Sequence, residues 1–121
     1  MRTAAVTPLY HSAPASYGVL ALARGELISI HPRFDPERLL SEIAELRLTH
    51  LYLVPTLYVR LLRLPDEVKR RYDLSSLRFV ASTGSPCSPA VKRAMIDWWG
   101  PIITETYASS EAGLVTIVSF R

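Results

Sequence analysis

Short apolar runs alternate with segments of helical spacing along most of this chain, and that alternation leaves few folds open. Leu27-Ile28-Ser29-Ile30, Leu51-Tyr52-Leu53-Val54 and Leu77-Arg78-Phe79-Val80-Ala81 are strand-like. Residues 17–23 read as a helix stopped by Gly25. Asp35 and Pro36 form an N-cap and first-turn proline, opening a helix to about Arg47. Its Leu39, Leu40, Ile43 and Leu46 share one face. Thr56 reads as the cap of a helix carrying Leu57, Leu61 and Leu62. Ser88-Pro89 opens another, with Val91, Met95, Ile96 and Trp99 on it and Gly100-Pro101 ending it. Residues 64–76 read as a polar loop, and 115–120 alternate like an edge strand. Strands separated by helices predict an α/β fold, a mostly parallel sheet flanked by helices. The chain shows no repeat or linker, so residues 1–121 are read as a single unit.

Composition narrows the function. Hydrophobic residues make up 49%, which argues against disorder. The net charge of +3 is too small to point to nucleic acid. Lys69-Arg70-Arg71 follows Asp66-Glu67 and reads as a solvated surface. No run of about 18 apolar residues suggests a transmembrane span, and Met1-Arg2 opens no signal peptide. Cys87 is the lone cysteine, which fits a reducing cytoplasm, and without a nearby histidine signature it is not read as a catalytic thiol. The three histidines lack zinc spacing, and His31 and His50 read as structural or surface residues. Trp98-Trp99 reads as helix packing.

Tyr107-Ala108-Ser109-Ser110-Glu111-Ala112-Gly113 is the segment richest in chemistry. It joins two apolar β-like stretches. A hydroxyl can donate to a phosphate oxygen, and an adjacent carboxylate is a hard ligand for Mg²⁺. The ordinary alternative is an exposed turn. Ser82-Thr83-Gly84-Ser85-Pro86 follows another strand, where Gly84 would let backbone approach a flat ligand and Pro86 would stiffen the exit. An ordinary strand-to-helix turn is its alternative. Ligands in parallel sheets bind beyond the carboxyl ends of the strands, where both segments are expected as loops.

Tyr107-Ala108-Ser109-Ser110-Glu111 resembles the Tyr-Gly-x-Thr-Glu motif of the adenylate-forming enzymes, which include acyl- and aryl-CoA synthetases. Residues 82–86 resemble that superfamily's adenine loop, Pro8-Leu9-Tyr10-His11 its Pro-x-x-His motif, and residues 54–64 its CoA-ligase branch. Ala108 stands where the family has Gly, Ser110 where it has Thr, and Thr83 replaces a glycine of the adenine loop.

The resemblance implies a fragment of the large N-terminal domain of an ATP-dependent acid–CoA ligase. Such a ligase takes ATP with Mg²⁺, a carboxylic acid and CoA. Glu111 would hold Mg²⁺ and Ser110 would bind phosphate. Tyr107, with Ala108 and Ser109, would border the adenine, and Gly84, Ser85 and Pro86 would complete the slot. His11 would lie between acyl pocket and phosphates. The family's phosphate loop, ribose-binding Asp and C-terminal Lys are not found here, so the chain is expected to need the remaining segments of a parent enzyme and to form no acyl-CoA alone. Small residues Ser12, Ala13, Ala15, Ser16 and Gly18 either leave room for a bulky apolar acid or serve close helix packing. Two alternatives remain: a carrier-protein-loading adenylation domain, and a truncated non-catalytic module that binds nucleotide or a partner. A sheet cut from a larger one would expose apolar edges and favour a homo-oligomer.

Overall fold

A single sheet organises the chain. Its strands are β1 (Arg2–Ala5), β2 (Leu27–Ile30), β3 (His50–Leu53), β4 (Phe79–Ser82), β5 (Ile103–Ser109) and β6 (Gly113–Ser119). The helices are α1 (Ser12–Ala23), α2 (Pro36–Leu46), α3 (Pro55–Leu62), α4 (Asp66–Arg71) and α5 (Pro89–Trp99). The computed structural model describes residues 1–9, 12–109 and 111–119. Strand order is β2-β1-β3-β4-β5-β6, with every pair parallel except β5 and β6. The α/β expectation holds.

The order reverses at β1. The chain first steps outward from β1 to β2, then crosses back to β3 and continues to β5. Right-handed crossovers in opposite directions put their helices on opposite faces. Accordingly α2, α3 and α5 share one face and α1 covers the other. Ala4, Leu51, Leu53, Val80 and Ile103 point toward Leu39, Leu40, Ile43, Leu57, Tyr58, Leu61, Met95 and Trp99 in one apolar cluster. The alternate residues Thr3, Ala5 and Tyr52 line a crevice with Tyr17 and Gly18 of α1.

Small side chains let α1 approach closely. Pro14, Gly18 and Ala21 are buried, and a Cβ on Gly18 would come within 3.3 Å of Ile28 Cδ1. Gly18 thus packs closely against Ile28 while also lining that crevice. Gly25, at φ +64°, ends α1 as expected: its N–H donates to Leu22 O, and the Glu26 N–H donates to Ala21 O.

On α2, the Asp35 carboxylate accepts from the Arg38 N–H at 3.1 Å, with Pro36 in the first turn. α3 corrects the expected Thr56 cap. Pro55 occupies the first turn, Val54 takes the cap position with no side-chain bond, and Thr56 lies inside the helix. A proline's fixed φ suits the first helical residue, so the helix begins two positions earlier.

Two elements carry too little pattern to be read. β1 is built of Arg2, Thr3, Ala4 and Ala5, lacking a large apolar residue, yet lies between β2 and β3. α4 replaces the expected loop, with Asp66 and Glu67 in its first turn and Lys69, Arg70 and Arg71 in its last. The basic run is tied down locally. Lys69 Nζ donates to Leu62 O and lies over Trp98, while Arg71 pairs with Glu37 at 3.1 Å. Among the described residues, no helix is long and apolar enough to cross a membrane.

A polar clamp fastens the sheet edge to α2. Glu42 Oε2 accepts from Ser29 Oγ at 2.7 Å and contacts His31 Nε2 at 2.5 Å, while Oε1 accepts from Arg38 Nε at 3.1 Å. The His31 side chain is fully buried here, and His50 is half-buried between Thr49 and Phe79. Burial alone would push the Glu42 carboxyl up, but hydrogen bonds from Ser29, His31 and Arg38 outweigh it and hold the group below its ordinary value.

Two stability predictions follow from this face of the sheet. Ile43→Ala should cost about 2–5 kcal/mol in denaturant unfolding, because Ile43 is fully buried under the sheet. Glu42→Gln should destabilise at neutral pH. A carboxylate held below its unfolded value stabilises above that value, about 4.3, and loses the contribution as pH falls through the folded value. Wild type and Glu42→Gln should therefore converge in stability on acidification; a gap that widens below pH 4 would contradict the clamp.

Candidate active site

At the carboxyl end of the sheet, the chain leaves the neighbouring strands β4 and β5. β4 ends at Ser82, and the Thr83 N–H donates to Leu53 O at 3.3 Å, which ties the loop to β3. Gly84 turns with φ +90°, and a Cβ there would stand 3.3 Å from Val54 Cγ1. Only glycine meets both demands easily. Gly84, Ser85 and Pro86 are exposed. Cys87 then turns into the core, where burial raises its thiol, the setting of an unreactive cysteine. Ser88 Oγ accepts from the Val91 N–H at 3.3 Å and starts α5.

β5 outruns its neighbour. It pairs with β4 only through Val80↔Ile103, Ala81↔Thr104 and Ser82↔Glu105. Beyond that it pairs with β6 alone, to Ser109↔Gly113. Tyr107 lies two residues past the Glu105–Ser82 step, about 7 Å along the strand, and so borders the side where residues 83–86 leave the adjacent strand. It is 65% exposed. The motif expected in a loop thus straddles strand and turn: Tyr107, Ala108 and Ser109 belong to β5, and Glu111 stands exposed in the hairpin turn. The reason is pairing with β6, which local sequence does not reveal. Ser109 Oγ accepts from the Ala112 N–H at 3.0 Å, bracing that turn. The register shifts between Tyr107↔Thr116 and Ala108↔Leu114, leaving Val115 as the extra residue of a bulge.

The substituted positions are accommodated. Ala108 is extended, since Arg47 is the described non-glycine residue with positive φ. The methyl that replaces the family's hydrogen therefore meets no left-handed backbone. Thr83 is buried and reaches the Tyr52 hydroxyl.

The described residues bring Gly84, Ser85 and Pro86 to the strand beside Tyr107 and Ala108. His11 and Ser110 lie outside the described residues. Residues 6–9 leave β1 where strand order reverses, the position at which open α/β sheets form a crevice. Beneath the loop, Tyr58 and Ser82 are buried; burial pushes the Tyr58 phenol far up, despite the neighbouring Ser82 hydroxyl. Lys92 of α5 pairs with Glu105 of β5. Neither residue was singled out from sequence. The two-residue spacing of Glu105 and Tyr107 on a strand was the available signal.

Comparison with known proteins agrees with this fold. A medium/long-chain-fatty-acid–CoA ligase of Mycobacterium tuberculosis is 38% identical over 109 residues, covering 90% of this chain and 19% of that protein. The amide bond synthetase McbA of Marinactinospora thermotolerans superposes with a TM-score of 0.87 at 28% identity, over 98% of this chain and 24% of McbA. ATP-bound MatB of Rhodopseudomonas palustris superposes at 0.81 with 26% identity, over 97% of this chain and 23% of MatB. The chain thus spans about a fifth of the length of the curated relative it matches. The sequence model of the AMP-binding enzymes matches residues 1–121, and this chain belongs to that family.

Proposed function

We propose that this chain forms part of the nucleotide site of an ATP-dependent acid–CoA ligase. The observation that supports the proposal is the overhang of β5, which carries exposed Tyr107 past the step at which the exposed Gly84-Ser85-Pro86 loop leaves adjacent β4. In this scheme the adenine lies between that loop and Tyr107, with Ala108 and Ser109 along its edge. Ser110 donates to phosphate and Glu111 holds Mg²⁺. The donor set fits such a metal. Magnesium is commonly held by one or two carboxylates with substrate phosphates supplying further oxygens, and the exposed Glu111 would supply one such carboxylate. Mg²⁺ supplies neutralisation of phosphate charge when bound.

The reaction has two halves. The substrate carboxylate attacks the α-phosphorus of ATP, and pyrophosphate leaves. The CoA thiol then attacks the acyl carbonyl, AMP leaves, and the thiol proton passes to solvent. The protein mainly positions reactants and stabilises charge. His11 is assigned to the wall between acid and phosphates. The similarity to a medium/long-chain-fatty-acid–CoA ligase supports an acid with an apolar body. Resemblance to an amide bond synthetase supports a second reading, in which an amine replaces the CoA thiol as acceptor.

Pyrophosphate exchange in the full-length protein tests the first half alone. Glu111→Gln should lower it about 10²-fold or more, and Ser110→Thr should leave it nearly unchanged. Full exchange activity in Glu111→Gln would refute the metal assignment. Supplying CoA or an amine as acceptor then separates thioester from amide formation.

Gly18→Leu provides a different test, in the same protein. Because a side chain there meets Ile28, activity should fall alike on long and short acids. Selective loss on long acids would return Gly18 to the acyl pocket.

A further inference from the structure

The nucleotide scheme gives no role to the ion pair between Lys92 and Glu105. The pair is well shielded, with side chains 23% and 24% exposed. Glu105 lies opposite Ser82, the last residue of β4, at the final step that joins β4 to β5. It therefore marks the point where β5 loses its β4 neighbour. Lys92 sits in the first turn of α5, immediately after the loop carrying Gly84, Ser85 and Pro86. Buried Tyr58 and Cys87 both lie within the field of Glu105. The pair thus spans from the exit of one motif loop to the strand that carries the other.

We propose that Lys92 and Glu105 are a positioning pair that fixes the separation between the Gly84-Ser85-Pro86 loop and Tyr107. This rests on the nucleotide site proposed above. Neither residue touches nucleotide in the scheme. Exposed pairs usually contribute little, but both members here are mostly withdrawn from water. Losing one member removes the charge that the other faces across this step. α5 and β5 then lose their ionic tie at the level of the slot. A site that depends on close geometry loses function steeply when its walls shift.

The test is ATP kinetics in the full-length protein, with melting temperature followed in parallel. Glu105→Gln and Lys92→Met should each raise KM for ATP about 10- to 100-fold, with a smaller change in kcat. Lys92→Arg keeps the charge and should stay near wild type. The double exchange Lys92→Glu with Glu105→Lys should recover much of the lost affinity. Asp73→Asn breaks the exposed Arg47–Asp73 pair and should leave KM for ATP unchanged, which separates position from simple loss of an ion pair. Should Glu105→Gln fail to fold, Lys92→Met carries the measurement. An unchanged KM in a folded single variant would overturn the positioning role alone, as would single-variant defects that the double exchange does not relieve. A wild-type protein that uses no ATP would overturn the nucleotide site and this pair with it.

Discussion

The handedness of strand crossovers is the constraint on which the rest of this structure depends. A sheet entered at β1 and extended in both directions needs helices on both faces. That requirement sends α1 to one side and α2, α3 and α5 to the other. It also points the carboxyl ends of β1 through β5 toward one edge. Loops that are distant in sequence consequently meet there. The apolar layer under α2, α3 and α5 supplies the cohesion, while the Glu42 clamp and the Gly18 contact fasten the periphery.

The site uses two backbone devices. One is the left-handed turn at Gly84, where an added side chain would crowd Val54. The other is unequal strand length, since β5 continues where β4 turns away. Thr83 and Ala108, which stand where the resemblance has glycine, do not take a positive φ. One glycine at position 84 meets the conformational demand of the loop.

Much of this was legible in the sequence. The Asp35-Pro36 opening and the spacing of Leu39, Leu40 and Ile43 gave α2 almost to its ends. Ser88-Pro89 did the same for α5. These signals are local, so sequence holds them in full. β1 was not legible, because Ala4 and Ala5 are buried through their neighbours rather than by their own size. α4 carries a single buried apolar residue, Val68, and so shows no period. Whether Gly18 leaves space or closes it depends on Ile28, which only the sheet brings opposite. The motif at Tyr107 was legible as chemistry but misplaced as a loop, because pairing with β6 decides where a strand ends.

The outer part of β5 is a cantilever. From Thr106 to Ser109 it is hydrogen-bonded to β6 alone, and exposed Val115, Ile117 and Val118 on β6 have little to pack against. Inner strands are supported from both sides. Backbone opening should therefore begin at the hairpin and reach β3 and β4 last, giving a gradient of amide exchange across the sheet. Tyr107, Ala108 and Ser109 would sit at the quick end of that gradient, on the part of the sheet that can yield to a ligand without disturbing the rest.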